Sequence, residues 1–212
     1  MEILAVILAY FIGSLPTAYL IGKWKLKIDV RYIGTKNMGA TNITKLLGTW
    51  WGILVFAIDF SKSILAYLLA FYLFDVGLVW SMAASVASVL GHNYPVWLKF
   101  HGGKGAATAG GAFAIYTITQ GYLWQAIIFL IILIIAFIML RNWVVGAIVA
   151  FILIPFAYLI DGNTAGFWFA AVLLIVTAIK FVPSAWNDIL DVLSLRYFKR
   201  KKLLKKEKSH DD

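Results

Sequence analysis

The chain is written mostly in long apolar runs, and the places where glycine, proline and charge interrupt them predict its elements. A run of about twenty residues is the length a helix needs to cross a bilayer. The first run, residues 3–22, holds Pro16, whose ring removes a helical hydrogen bond and predicts a kink. A polar loop, 23–45, carries Lys23, Lys25, Lys27, Arg31, Lys36 and Lys45. Spans at 49–74 and 76–90 follow, with Asp75 the only charge between them. The stretch 106–140 is too long for one span. Taken as one, it would put Arg141 and the basic tail on the side opposite the first basic loop, against the positive-inside rule. A break at Thr119-Gln120-Gly121 gives a short helix, 106–118, and a full one, 122–140. Spans at 143–158 and 164–182, joined by Asp161-Gly162-Asn163, complete the set.

The fold class expected is an all-α integral membrane protein of about seven transmembrane helices, one of them short, with the N-terminus outside and the C-terminus cytoplasmic. A half-length helix with a glycine-rich start is tolerated at membrane depth only inside protein or along a cavity. The turn before residue 106 is therefore expected near the cytoplasmic mouth of the bundle. Residues 1–183 form a single membrane domain in this reading. In 184–212, Trp186, Ile189, Leu190, Leu193 and Tyr197 recur at helical spacing opposite Asp188, Asp191 and Arg196. Lys199-Arg200-Lys201-Lys202 follows. This reads as an interfacial helix and a basic tail held by anionic lipid headgroups.

Composition agrees with lipid as the solvent: 62% of residues are hydrophobic and the mean hydropathy is +0.87. The absence of cysteine excludes disulfides, thiolate metal sites and a cysteine nucleophile. The N-terminus does not read as a cleaved signal, because Glu2 stands in place of a basic n-region. The net charge of +9 is explained by the tail and the cytoplasmic loops, so no nucleic-acid partner is expected.

The polar chemistry concentrates in two loops. In residues 91–111, GHNYPVWLKFHGGKGAATAGG, a lone cation, Lys104, sits among Gly102, Gly103 and Gly105. Successive N–H groups of such a turn form an anion-binding concavity, strengthened when a helix starts just after it. A flexible loop whose lysine anchors to headgroups is the alternative. Neither common nucleotide loop fits, since Leu98 and Gly105 occupy Walker A positions and Thr108 replaces the third glycine of the dinucleotide pattern. The first loop packs Arg31, Gly34, Thr35, Asn37, Gly39, Thr41 and Asn42 into a short space. Arg31 can fork onto a phosphate or a carboxylate, and Thr41 or Asn42 can cap the short helix that follows. His92 is either a general base near neutral pH or a partner in local hydrogen bonds; His101 is either a phosphate partner or a solvated loop residue. Asp59 and Lys62, three apart on one helical face, have the spacing of an ion pair.

These loops carry a family resemblance. DVRYIGTKNMGATN (29–42) resembles the first motif, and GHNYPVWLKFHGGKGAAT (91–108) the second, of the bacterial acyl-phosphate:glycerol-3-phosphate acyltransferases of the PlsY type. GSLPTAYLIGK (13–23), Asp59 and Lys62 also fall in register. The resemblance implies a multi-pass enzyme of the bacterial cytoplasmic (inner) membrane, its active site facing the cytoplasm. It implies transfer of a fatty acyl group from acyl phosphate to glycerol 3-phosphate, giving lysophosphatidate, with no cofactor and no metal. Thr35 stands at the family's usual serine and Lys45 at its usual arginine, while Asn37, Asn42 and Lys104 match directly. Thr35, Lys104 and His92 are the expected catalytic residues. Arg31, Asn37, Thr41, Asn42, Lys45, Gly102, Gly103 and Gly105 are the expected binding residues. The family's third motif, R-H-R-E-N and a following G-x-E, is replaced by Pro183-Ser184-Ala185-Trp186-Asn187, which keeps Asn187 alone for the acceptor site. Two further readings stand beside this one. The first is a diverged paralogue that binds acyl phosphate or phospholipid with another acceptor or none. The second is a small transporter subunit, suggested by the broken helix and the Asp59/Lys62 pair.

Overall fold

The computed structural model describes residues 1–140 and 143–193, with side chains placed to residue 182 except at 137, 140, 143–145, 147–148 and 181. Among the described residues the regular structure is all helical: α1 (Glu2–Gly13), α2 (Thr17–Leu26), α3 (Ala40–Leu47), α4 (Thr49–Leu68), α5 (Gly77–Asn93), α6 (Ala106–Thr119), α7 (Leu123–Leu140), α8 (Trp143–Ile160) and α9 (Thr164–Leu193). A π-helical turn (Leu69–Leu73) extends α4, and a 3-10 turn (Val96–Leu98) lies in the second loop.

The first expected span is two helices rather than one kinked helix. Pro16 has no N–H to donate and drives the residue before it out of helical conformation, so α1 ends at Gly13 and α2 begins at Thr17. The break frees the Leu15 carbonyl, to which Lys62 Nζ donates at 2.6 Å. The same ammonium lies 2.5 Å from Asp59 Oδ1, and both side chains are almost wholly buried. Pro16 and the Asp59/Lys62 pair, read separately in the sequence, form one assembly: the ion pair satisfies the backbone that proline disrupts. A buried charge with its partner and a carbonyl to bond is tolerable where a single one is not.

Small residues decide how the helices cross. Ala5, Ala9 and Gly13 recur every four residues on α1 and are buried against α5, where Ala84, Ser88 and Gly91 face them. A Cβ on Gly13 would overlap the Ser88 carbonyl, and one on Gly91 the Tyr10 carbonyl, so the two backbones are in direct contact. On α4, Ser63 Oγ donates to the Thr108 carbonyl of α6 at 2.5 Å. Helix α6 has 14 residues, about 21 Å of rise, too short for the hydrocarbon core. It is buried from Thr108 to Thr117 along most of its surface, as a half-length helix must be. It ends at Thr119, and Gly121 turns the chain with φ +78°, at the break expected from the sequence.

Helices α6 to α9 pack through large rings instead. Phe113 meets Phe129 at 4.9 Å, Phe129 meets Phe151 at 5.0 Å, and Tyr116 meets Phe169 at 5.0 Å between centroids. Helix α9 runs unbroken for 30 residues, so the expected last span and the start of the expected amphipathic segment are one helix. Arg141 and the basic residues Lys199 to Lys208 lie outside the described residues.

Candidate functional site

The first loop is shaped by Asn42. Its amide is fully buried, and Oδ1 accepts from the Thr35 N–H at 2.8 Å. Nδ2 donates to the carbonyls of Val30 (2.9 Å) and Ile33 (3.1 Å). Three hydrogen bonds from one side chain fix the backbone from Val30 to Thr35, which explains the polar density there without a ligand at Asn42 itself. The expectation that Thr41 or Asn42 caps α3 is corrected: Gly39 is the N-cap, no side chain caps it, and both residues lie in the first helical turn. Thr41 and Lys45 are exposed on α3, Thr35 is exposed at the loop's edge, and Asn37 is half-buried beside Gly39. The helix presents Thr41 and Lys45 to the side its buried Ile43 turns away from.

Arg31 takes the carboxylate alternative. Its Nε and Nη2 fork onto Asp29 at 3.0 and 2.6 Å, while Nη1 reaches the Leu98 carbonyl of the second loop at 3.4 Å. The guanidinium's hydrogen bonds hold the Asp29 carboxyl below its ordinary range. Below this contact the loops share one apolar cluster, with Val30, Met38 and Ile43 against Leu98. The two glycine-rich loops are therefore one surface.

The second loop is fixed by main chain. Gly102 N–H donates to the Asn93 carbonyl at 3.2 Å, and Gly103 N–H to the His92 carbonyl at 3.1 Å. The expectation that successive N–H groups of this turn face an anion is thus corrected for its first two members, whose hydrogens point back at the end of α5. What the glycines permit is close approach. A Cβ on Gly103 would overlap His92 Nε2 and meet the Met38 carbonyl at 2.8 Å. Gly105, the N-cap of α6, has φ +76°, and a Cβ there would strike Asn93 Oδ1. No side chain caps α6, so its first-turn N–H groups open onto the loop beside Lys104, which is half-buried. This N-terminus is where the helix dipole favours negative charge.

His92 lies beneath the loop. It is buried, its Nε2 edge packs on Gly103, and Nδ1 is 3.7 Å from Asp59 Oδ1. The ring thus links the ion pair at the Pro16 break to the glycine turn above. His101, by contrast, is exposed and bonds the Lys99 carbonyl at 2.6 Å. Asn187 falls in the backbone of α9, and its side chain lies outside the described residues. Sequence reasoning missed Asn93 and Lys180. Asn93 is fully buried and donates through Nδ2 to the Val176 carbonyl of α9 at 3.1 Å. Lys180 is a charge within an apolar span, a signal that was there to be used.

The arrangement can hold a phosphate at the α6 N-terminus with Lys104 beside it, and a second substrate across the joined loops. The sequence model of the family described as glycerol-3-phosphate acyltransferase matches residues 3–187. The chain is 50% identical over 121 residues to glycerol-3-phosphate acyltransferase 2 of Dehalococcoides mccartyi, a stretch covering 57% of this chain and only 57% of that protein. It is 37% identical over 157 residues to glycerol-3-phosphate acyltransferase 2 of Moorella thermoacetica, 74% of this chain and 79% of that one. The crystal structure of PlsY, an integral membrane glycerol 3-phosphate acyltransferase, in its glycerol 3-phosphate form matches with a TM-score of 0.75 at 32% identity, covering 91% of this chain and 92% of that chain. Its lysophosphatidic acid form matches with a TM-score of 0.71. With this fold, helical among the described residues, the protein is a membrane protein, and it belongs to the glycerol-3-phosphate acyltransferase family.

Proposed function

We propose that this protein transfers a fatty acyl group from acyl phosphate to a hydroxyl of glycerol 3-phosphate, forming lysophosphatidate and inorganic phosphate. The observation that carries this reading is the junction of the two loops over the buried end of α5, with Lys104 at the open N-terminus of α6. The family membership and the glycerol 3-phosphate and lysophosphatidic acid forms of the similar PlsY structure support it.

An acyl phosphate is a mixed anhydride with a good leaving group, so no covalent nucleophile is required. The acceptor oxygen attacks the carbonyl carbon, the carbon–oxygen bond to phosphate breaks, and the hydroxyl proton passes to phosphate. What the protein supplies is position and charge compensation. Lys104 and the first-turn N–H groups of α6 offset the charge on the donor phosphate as it leaves. Lys45, exposed on α3, and Thr35, at the edge of the first loop, complete the polar rim. Asn42 and Arg31 position that rim, and His92 seats the glycine turn from below. Gly102 and Gly103 let the turn lie against α5, and Asn37, Thr41 and Asn187 are assigned to substrate contact.

The same reading puts about seven spans in the bacterial cytoplasmic membrane, the N-terminus outside, the site and the basic tail on the cytoplasmic side. Lys23, Lys25, Arg31, Lys36, Lys99 and Lys104 all belong to one end of the bundle, while the opposite turns carry Asp75 and Asp161. The test is acyl transfer by detergent-purified protein supplied with palmitoyl phosphate and radiolabelled glycerol 3-phosphate. Lysophosphatidate is expected from the wild type, and Lys104→Ala is expected to lose at least about 100-fold in rate, the usual cost of one charge-stabilising donor. Tight binding of palmitoyl phosphate without product would favour a different acceptor.

A further inference from the structure

Lys180 is the charge within the membrane-embedded part of α9, in the run Val176-Thr177-Ala178-Ile179-Lys180. Among the described residues no carboxylate pairs with it. Its ammonium lies 4.3 Å from the centroid of the Tyr94 ring. Tyr94 follows directly on α5, and its carbonyl is held by the Tyr10 hydroxyl at 2.6 Å. One turn earlier on the same face of α9, the Val176 carbonyl accepts from Asn93, the residue that walls Gly105. The lysine therefore stands at the edge of the site, across the end of α5 from the first loop. An ammonium over an aromatic ring keeps its charge while losing much of its water. With no carboxylate paired to it among the described residues, such a cation can take an external anion.

The reaction proposed above brings two phosphate groups to one site, the donor's and the acceptor's. Lys104 and α6 serve one of them. We infer that Lys180 binds the other, the phosphate monoester of the acceptor, and so contributes to selecting a phosphorylated acceptor over a plain polyol. This inference rests on the acyltransferase reading.

Steady-state kinetics of the full chain separate the possibilities. In Lys180→Met, which keeps the apolar stem, the KM for glycerol 3-phosphate is expected to rise about tenfold, the worth of one charged hydrogen bond. The KM for palmitoyl phosphate should stay unchanged, and Lys180→Arg should recover most of the loss. An unchanged KM for glycerol 3-phosphate would make Lys180 a headgroup anchor and overturn the inference. A rise confined to palmitoyl phosphate, or equal for both substrates, would overturn it as well. If the wild type forms no lysophosphatidate, the acyltransferase reading itself fails. Equilibrium binding of inorganic phosphate then decides the matter separately: about tenfold weaker in Lys180→Met upholds an anion site at Lys180, and equal binding refutes it.

Discussion

In the loop between α2 and α3, the hydrogen bonds that fix the backbone come from side chains, with Asn42 bonding three main-chain groups and Arg31 forked onto Asp29. In the loop between α5 and α6 they come from main chain, with Gly102 and Gly103 donating to the last carbonyls of α5. The first loop spends its polar side chains on its own shape. The second is seated on α5 by main chain, because glycine lets the backbone press against a helix end. Of its basic residues Lys99, His101 and Lys104, the last stands beside the uncapped N-terminus of α6. Two loops alike in composition thus divide the work, one forming a rigid wall and the other a charged floor.

Substitutions in each loop sharpen that division. Gly103→Ala should have the largest effect. The new methyl would meet the His92 ring and the Met38 carbonyl, pushing the turn and Lys104 away from the wall. A displacement of about 1 Å costs roughly 100-fold in catalysis, so kcat/KM should fall by that factor while the helical circular dichroism is unchanged. Full activity in this variant would mean that the close approach is incidental. Asn42→Ala should act on stability first. It strands the Thr35 N–H and the Val30 and Ile33 carbonyls, costing about 2 kcal/mol and lowering the midpoint of thermal unfolding in detergent. An unchanged midpoint would show that water replaces the amide and that the wall is not built by Asn42.

The smallest effect is expected from pH. Arg31 holds Asp29 below the usual carboxylate range, so the fork contributes fully above the ordinary aspartate pKa of about 3.9 and weakens only as pH falls through the lowered value. Hydrogen exchange of residues 29–35, corrected for the intrinsic rate, should be the same at pH 7.5 and pH 5. Protection lost near pH 6 would assign the hold to a histidine instead.

Much of this was readable in advance, for identifiable reasons. The short helix before Gly121 could be placed because length and the side of the basic clusters leave little freedom in a bilayer. Asp59 and Lys62 announced a pair by their spacing. That the pair also closes the gap at Pro16 was not legible, because Leu15 and Lys62 are far apart in sequence and meet only when α4 packs on the broken first span. The N–H groups of Gly102 and Gly103 looked available because sequence shows the glycines and not the carbonyls they face. Lys180 carried the signal of a charge inside an apolar span, but its ring and its neighbours are set only by packing.

The sequence by itself determined the solvent, the breaks at Pro16 and Gly121 and the residue types of the two loops, since these follow from local chemistry and the thickness of a membrane. The tertiary structure decided which polar groups are paired within the protein. A hydrogen bond belongs to a pair of groups, and the partners of Asn42, Gly103, Lys62 and Lys180 are fixed only when the helices that carry them are packed.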